Sequence, residues 1–267
     1  MSNHLNFSKI VSLVSTSLVA SSVVISSPCY AATFALSEAT FNFVGFNQTP
    51  EDIFTNGNTN TVTLAGNGNE NVTANADANG LFDAVRIKAS NLSKSTASGT
   101  GKNYLGLAES VADLKGIFKI AENTTFSFEF TADLNLEVLI DNPAVESAKA
   151  NGNIFFGLFD VDTNILFDFF SLRAGLNTPN DSDFLNFDTS NKVTIKNSVT
   201  TISTGSKKES AKASIEGFFQ RTFANKINLA LVEFKRNEAK VTVPESSGLI
   251  ALLFCSGIVS LSLKRKK

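Results

Sequence analysis

The chain has one histidine, two cysteines and no tryptophan in 267 residues. His4 and Cys29 lie near the N-terminus and Cys255 near the C-terminus, so the stretch from Ala32 to Thr242 carries neither residue type. That absence excludes Ser-His-Asp and Cys-His catalysis within the stretch. It also excludes zinc, copper, haem and iron–sulfur sites of the nitrogen- and sulfur-ligated kind. No disulfide can form there, so stability has to come from the core or from bound ions. Tyr104 is the only tyrosine of the stretch, which leaves the aromatic load to phenylalanine, 24 in the whole chain. Basic runs are missing too. The longest within the stretch, Lys207-Lys208, is followed at once by Glu209 and reads as a solvated turn, so nothing there points to nucleic acid.

The two ends are built differently from this middle. Met1 to Lys9 is polar, Ile10 to Ile25 is an uncharged apolar run, and Ser26-Ser27-Pro28-Cys29-Tyr30-Ala31 is broken by proline with small residues toward its end. That order is the layout of a secretory signal peptide, expected to be helical and to be cut by signal peptidase after Ala31. Pro28 stands where a small residue would precede a lipidated cysteine, which argues against a lipoprotein reading of Cys29. At the other end, Gly248 to Leu263 holds no charge, and Lys264-Arg265-Lys266-Lys267 follows directly. The span is short beside the roughly 20 apolar residues that usually cross a bilayer. As a transmembrane helix it would hold its basic end on the cytoplasmic side and the body outside.

Immediately before that span stand Val243-Pro244-Glu245-Ser246-Ser247. A short motif, an apolar span and a basic cluster, in this order, resemble the PEP-CTERM protein-sorting signal of exported proteins in Gram-negative bacteria that make extracellular polysaccharide. In that family a Pro-Glu-Pro motif marks substrates of exosortase, a membrane-embedded thiol enzyme that cleaves near it. Val243, Pro244 and Glu245 match the pattern; Ser246 stands where the family has its second proline. The resemblance implies exosortase as a partner, export, and a tail that is a handling tag or an anchor. It covers residues 243–267 and leaves the body unmatched.

Hydrophobic period decides the fold class of that body. In TFSFEFTADLNLEVLID, Phe126, Phe128, Phe130, Ala132, Leu134, Leu136, Val138 and Ile140 alternate with Ser127, Glu129, Thr131, Asp133, Asn135 and Glu137. Period two with one wet face predicts an antiparallel strand packed on one side, long enough that a bend or bulge is expected near Ala132-Asp133. Similar alternation runs through Phe41–Phe43, Val62–Leu64, Val85–Ile87, Ala148–Leu158, Ile165–Phe169, Val193–Val199, Ala211–Phe219 and Ile227–Leu231. Leu107 to Ile120 is rich enough in Ala, Leu and Lys to leave helix and strand both open. NGNTNTVTLAGNGNENVTANADANG, heavy in Asn and Gly, reads as a long irregular loop or hairpin excursion. Its Gly66-Asn67-Gly68-Asn69 lacks the strand–helix context and the lysine of a phosphate loop. About ten strands separated by turn residues predict a single all-β domain, an antiparallel β-sandwich of jelly-roll-like form over residues 32–242.

Few constellations could carry chemistry. Asp160, Asp162, Asn164 and Asp168 have the oxygen ligands that calcium prefers, yet Ile165 stands at the sixth position, where a calcium loop needs glycine, and Ser171 at the twelfth. The same residues suit a hairpin turned at Asp162-Thr163-Asn164, which is the favoured reading. Asn180-Asp181-Ser182-Asp183 with Asp188 is a second calcium candidate. Glu129, Asp133 and Glu137 share one strand face, but they alternate with Ser, Thr and Asn as a solvated face does. Glycoside hydrolysis needs two carboxyl groups opposed across a cleft, usually beside Trp or Tyr platforms. The expectation is therefore a non-enzymatic exported protein with a structural or adhesive role at the cell surface or in the polysaccharide matrix. A calcium-dependent or glycan-binding lectin-like module is the alternative, and a glycoside hydrolase a distant third.

Overall fold

A computed structural model describes residues 31–66, 70–83, 88–180 and 182–244. The signal segment through Tyr30, the strand expected at Val85–Ile87, Asn67 to Asn69, Asp181, and the tail from Glu245 lie outside the described residues. Within them the chain forms twelve strands: β1 (Ala31–Val44), β2 (Asp52–Ala65), β3 (Asn71–Asp83), β4 (Lys88–Gly101), β5 (Tyr104–Ile120), β6 (Thr124–Leu139), β7 (Ser147–Asp160), β8 (Leu166–Thr178), β9 (Phe184–Thr189), β10 (Val193–Ser203), β11 (Lys208–Phe223) and β12 (Ile227–Val243). They build two six-stranded sheets, in the orders β10-β11-β6-β1-β4-β3 and β2-β5-β12-β7-β8-β9. Every pairing is antiparallel. The fold is an all-β sandwich in which β1 and β12, first and last of the described strands, are interior strands of opposite sheets.

Three expectations change. First, β6 pairs with β1 and β11 in unbroken register past Ala132 and Asp133, so it has no bulge. The irregularities fall elsewhere, between Ile195 and Asn197 on β10 and between Leu158 and Phe159 on β7. An extra residue in β6 would turn the rest of its alternating apolar side chains to the wet face, against both β1 and β11. Second, Leu107 to Ile120 is strand throughout, with Ala108, Ser110, Ala112, Leu114, Phe118 and Ile120 turned inward. Third, most of the Asn- and Gly-rich stretch is ladder, in β2 and β3.

The physical reason for the third change is a taper in the sandwich. Toward β6, β11, β7 and β8 the interior is phenylalanine. Phe156, fully buried, meets Phe41, Phe43, Phe128 and Phe130 edge-on at 5.2–5.8 Å between ring centroids and lies nearly parallel to Phe170 at 5.8 Å. Gly217 on β11 leaves space for the Phe130 ring, which a Cβ there would meet at 2.2 Å. Toward β3, β4, β2 and β5 the inward residues shrink to Ala74, Ala76, Ala78 and Gly80 on β3 and to Asn91, Ser93, Ser95 and Ala97 on β4. Small side chains let two sheets approach more closely than the usual ~10 Å. At Gly57 the approach leaves no space for a side chain, since a Cβ would lie 2.6 Å from the Ala78 carbonyl oxygen. Alternating Ala and Asn therefore specifies a thin edge of the sandwich, where a scan for large apolar residues finds only a loop.

Candidate functional site

At the tip between β7 and β8, Asp160 closes the turn. Its Oδ1 accepts the Asp162 amide at 2.9 Å and its Oδ2 accepts the Thr163 hydroxyl at 2.8 Å. Asn164 takes a left-handed φ of 58°, a conformation asparagine tolerates better than most residues. The Thr163 hydrogen bond, followed by the Asp162 amide, holds the Asp160 carboxyl below its ordinary range. Asp162 receives the Asn228 amide at 3.3 Å. Asp168 faces the other way. It lies on the inner side of β8, only 2 % exposed, ion-paired to Arg221 at 2.7 Å and accepting the Ser190 hydroxyl at 2.8 Å. The hairpin thus engages the oxygens of Asp160, Asn228 of β12 takes Asp162, and Arg221 takes Asp168. In the second candidate loop, Asp183 accepts the Asn177 amide at 3.0 Å, and Asp188 caps the amide of Thr189. Among the described residues no group of three or more acidic, histidine or cysteine side chains is arranged to hold a metal ion.

The outer face of β6 carries its carboxylates as a line of separate pairs. Lys196 meets Glu129 at 2.7 Å, Ser214 donates to Asp133 at 2.6 Å, and Lys208 meets Glu137 at 2.9 Å. Beside them runs an open groove of about 400 Å³ lined by Glu38, Asp133, Asn135, Thr201, Lys212 and Ser214 among others. Ser214 is already bonded to Asp133 and the Asn135 side-chain carbonyl oxygen is buried without a partner, and no aromatic ring of the lining offers a platform for a sugar.

The chemically unusual place is inside the sandwich, where β4 and β5 meet β12 and β1. Along β12 the inward positions run Leu229, Leu231, Glu233, Lys235, Asn237, Ala239, Val241 and Val243. Glu233 and Lys235 are fully buried. The Lys235 ammonium nitrogen donates to Glu233 Oε1 at 2.9 Å, and the Asn91 amide nitrogen of β4 donates to Glu233 Oε2. Lys235 Nζ also lies 5.8 Å from the centre of the Phe41 ring. A polar seam continues this cluster along the strands. Ser37 donates to Asn237 Oδ1 at 2.9 Å, Asn237 Nδ2 donates to the Ser93 carbonyl, and Ser95 donates to the Asn237 carbonyl at 3.1 Å. Ser93 and Ser110 share a hydroxyl contact at 2.7 Å. Burial pushes Glu233 upward, against the pull of Lys235 and Asn91, and pulls Lys235 down to about 8. Both shifts favour the uncharged forms.

The chain matches no family model, no curated protein and no solved structure. Its chemistry has to be read from the side chains themselves. Glu233, Lys235 and Asn91 form no motif in the sequence: β12 reads as plainly apolar only to Leu231, and Asn91 sits in the small polar run of β4. The signal was nevertheless present: continuing the period of two past Leu231 places Glu233, Lys235 and Asn237 on the apolar side. An ion pair at core positions costs desolvation of both groups, so it calls for a reason beyond stability.

Of the sorting motif, the described residues include Val243, buried as the last residue of β12 opposite Tyr104 of β5, and Pro244, exposed just after it. Ala31 opens β1 opposite Gly101. Glu245 lies outside the described residues.

Proposed function

We propose that the protein is an exported, non-catalytic building block of the cell surface or of the extracellular polysaccharide matrix. Its body, a jelly-roll-like sandwich over residues 32–242, is delivered by a signal peptide ending at Ala31 and by the PEP-CTERM-like segment 243–267. One observation carries this reading. β12 contributes to the core as far as Val243, and the chain emerges at Pro244. A cut beyond Pro244 would leave β12 and the core it completes whole. The outer faces agree with a structural role, since several of their charges are paired, such as Lys94 with Glu38 at 3.5 Å and Lys149 with Glu238 at 3.4 Å. In this reading exosortase and signal peptidase are processing partners, and the membrane is a station on the route.

Fractionation of cells with and without exosortase tests the route. The proposal expects the body in the surface or extracellular fraction of the first and in the inner membrane of the second. The same distribution in both cells would contradict it.

A glycan-binding role is the second reading, and the groove beside β6 and β11 favours it. Its hydroxyl, amide and charged groups suit hydrogen bonding to a polysaccharide without ring stacking. Co-sedimentation of the body with the cell's own polysaccharide, lost on Asn135→Ala with Ser214→Ala, would establish it. Absence of co-sedimentation leaves the structural role alone.

A further inference from the structure

The three groups that meet in the polar seam are a primary amine, a primary carboxamide and a carboxyl shared between them. Glu233 contacts the Lys235 nitrogen through Oε1 and the Asn91 nitrogen through Oε2. One carboxyl thus holds the amine and the amide side by side. The Asn91 carbonyl oxygen is buried and has no hydrogen-bond partner. Asn237, the other amide of the seam, has its oxygen bonded to Ser37 and its nitrogen to the Ser93 carbonyl, so it is held away from reaction. We propose that Lys235 and Asn91 join in an isopeptide bond between Lys235 Nζ and Asn91 Cγ, with Glu233 moving the protons.

The step balances within the chain. The uncharged Lys235 amine attacks Asn91 Cγ, and a new C–N bond forms. Glu233 Oε1 accepts the proton that Nζ gives up, while Oε2 delivers its own proton to Nδ2. The Cγ–Nδ2 bond breaks and ammonia leaves, with the carboxyl protonated again as at the start. No oxidant, metal or cofactor takes part. Fixing amine and amide on one carboxyl replaces a bimolecular encounter by an intramolecular one, the condition under which such reactions become fast. Burial supports it twice: it favours the uncharged amine and the protonated carboxyl, and it keeps out the water that would otherwise hydrolyse the amide. Negative charge gathers on the Asn91 oxygen in the tetrahedral intermediate, and that oxygen is buried with no bond to give up first.

The product ties β4 of one sheet to β12 of the other. An exported body without cysteine would thereby gain a covalent staple between its sheets, and the seam would have a purpose that an ion pair in the core lacks. The inference stands apart from the proposed route, since it depends on neither signal segment.

Peptide mapping of the full chain tests it. The purified protein is denatured, digested with trypsin and analysed by tandem mass spectrometry. A branched peptide containing both Asn91 and Lys235, lighter than its two parts by one ammonia, is the expected result, with no cleavage after Lys235. Glu233→Gln, which keeps the side-chain volume, and Lys235→Met should each abolish the branch. A folded wild-type chain with unmodified Asn91 and cleavage after Lys235 overturns the bond. A branch that survives in Glu233→Gln overturns the role of Glu233. Loss of ammonia without a branched peptide, as from succinimide formation at another asparagine, also counts against the proposal.

Discussion

Replacing Phe156 by alanine probes the thick half of the sandwich most severely. The ring is fully buried and touches five others, from Phe41, Phe43, Phe128, Phe130 and Phe170. Burying such a side chain is worth about 1.5–3 kcal/mol by transfer. Because β7 is interior to its sheet, paired with β12 and β8, the surrounding backbone cannot collapse into the space. The cavity term therefore remains, and the total should reach about 3–5 kcal/mol. Urea unfolding followed by far-ultraviolet circular dichroism reads the change. With a slope of roughly 2 kcal/mol per molar, the midpoint should fall by about 1.5–2.5 M with the slope unchanged. Phe54→Ala is the control: that ring is 57 % exposed on edge strand β2, and its loss should stay within about 0.5 kcal/mol. A cost below about 1 kcal/mol for Phe156→Ala, or equal costs for both, would refute the placement of the aromatic core.

Other outcomes follow from the seam, the thin edge and the hairpin. In an Asn91→Leu chain, which cannot form the cross-link, Lys235→Met should cost about 3–5 kcal/mol by leaving Glu233 alone, and adding Glu233→Leu should recover most of it, read by thermal unfolding. In the same Asn91→Leu chain with Glu233 and Lys235 intact, the pH dependence has two limbs. Glu233 is raised above its ordinary 4.5, so the folded state holds the extra proton and stability falls as pH rises through that window. Lys235 is lowered from 10.5 to about 8, so the unfolded state holds the extra proton between those values and stability rises with pH there. The Asp113 carboxylate also pushes Glu233 upward and strengthens the first limb. Melting temperatures across pH 4–11 that vary monotonically would contradict this pattern. Gly57→Val should destabilise by about 1–3 kcal/mol through collision with Ala78, whereas a neutral effect would mean that β2 and β3 do not approach. Asp160→Ala should lower the melting temperature through loss of the turn's two hydrogen bonds, to the same extent with and without calcium, and chelation should leave the wild-type melting temperature unchanged. A calcium-dependent shift would reinstate the metal reading of that tip.

How far the sequence can be read depends on what each strand buries. β6 was legible residue by residue, because large apolar side chains alternate with polar ones across its whole length. The fold class followed from several strands of that kind. β2 and β3 were not, because the sheets there are close enough that alanine and glycine suffice, and a scale of side-chain hydrophobicity reads Ala74, Ala76 and Ala78 as filler. β5 was ambiguous for the same reason: Ala108 and Ala112 suit a helix by propensity, and only pairing with β12 and β2 decides for strand. The candidate hairpin at Asp160 was legible from turn chemistry. Glu233 and Lys235 were hidden by charge, since charged residues are normally assigned outward and only strict continuation of the period along β12 turns them in, while Asn91 sat among the small polar residues of β4. Their meeting also depends on β4 and β12 facing each other across two sheets, which no local pattern encodes.

The C-terminal residue of the mature protein is the most direct measure of the proposed route. Mass spectrometry of the chain recovered from exosortase-containing cells should show a body intact through Val243 and the loss of Gly248 to Lys267. A mature chain that still ends at Lys267 would contradict it.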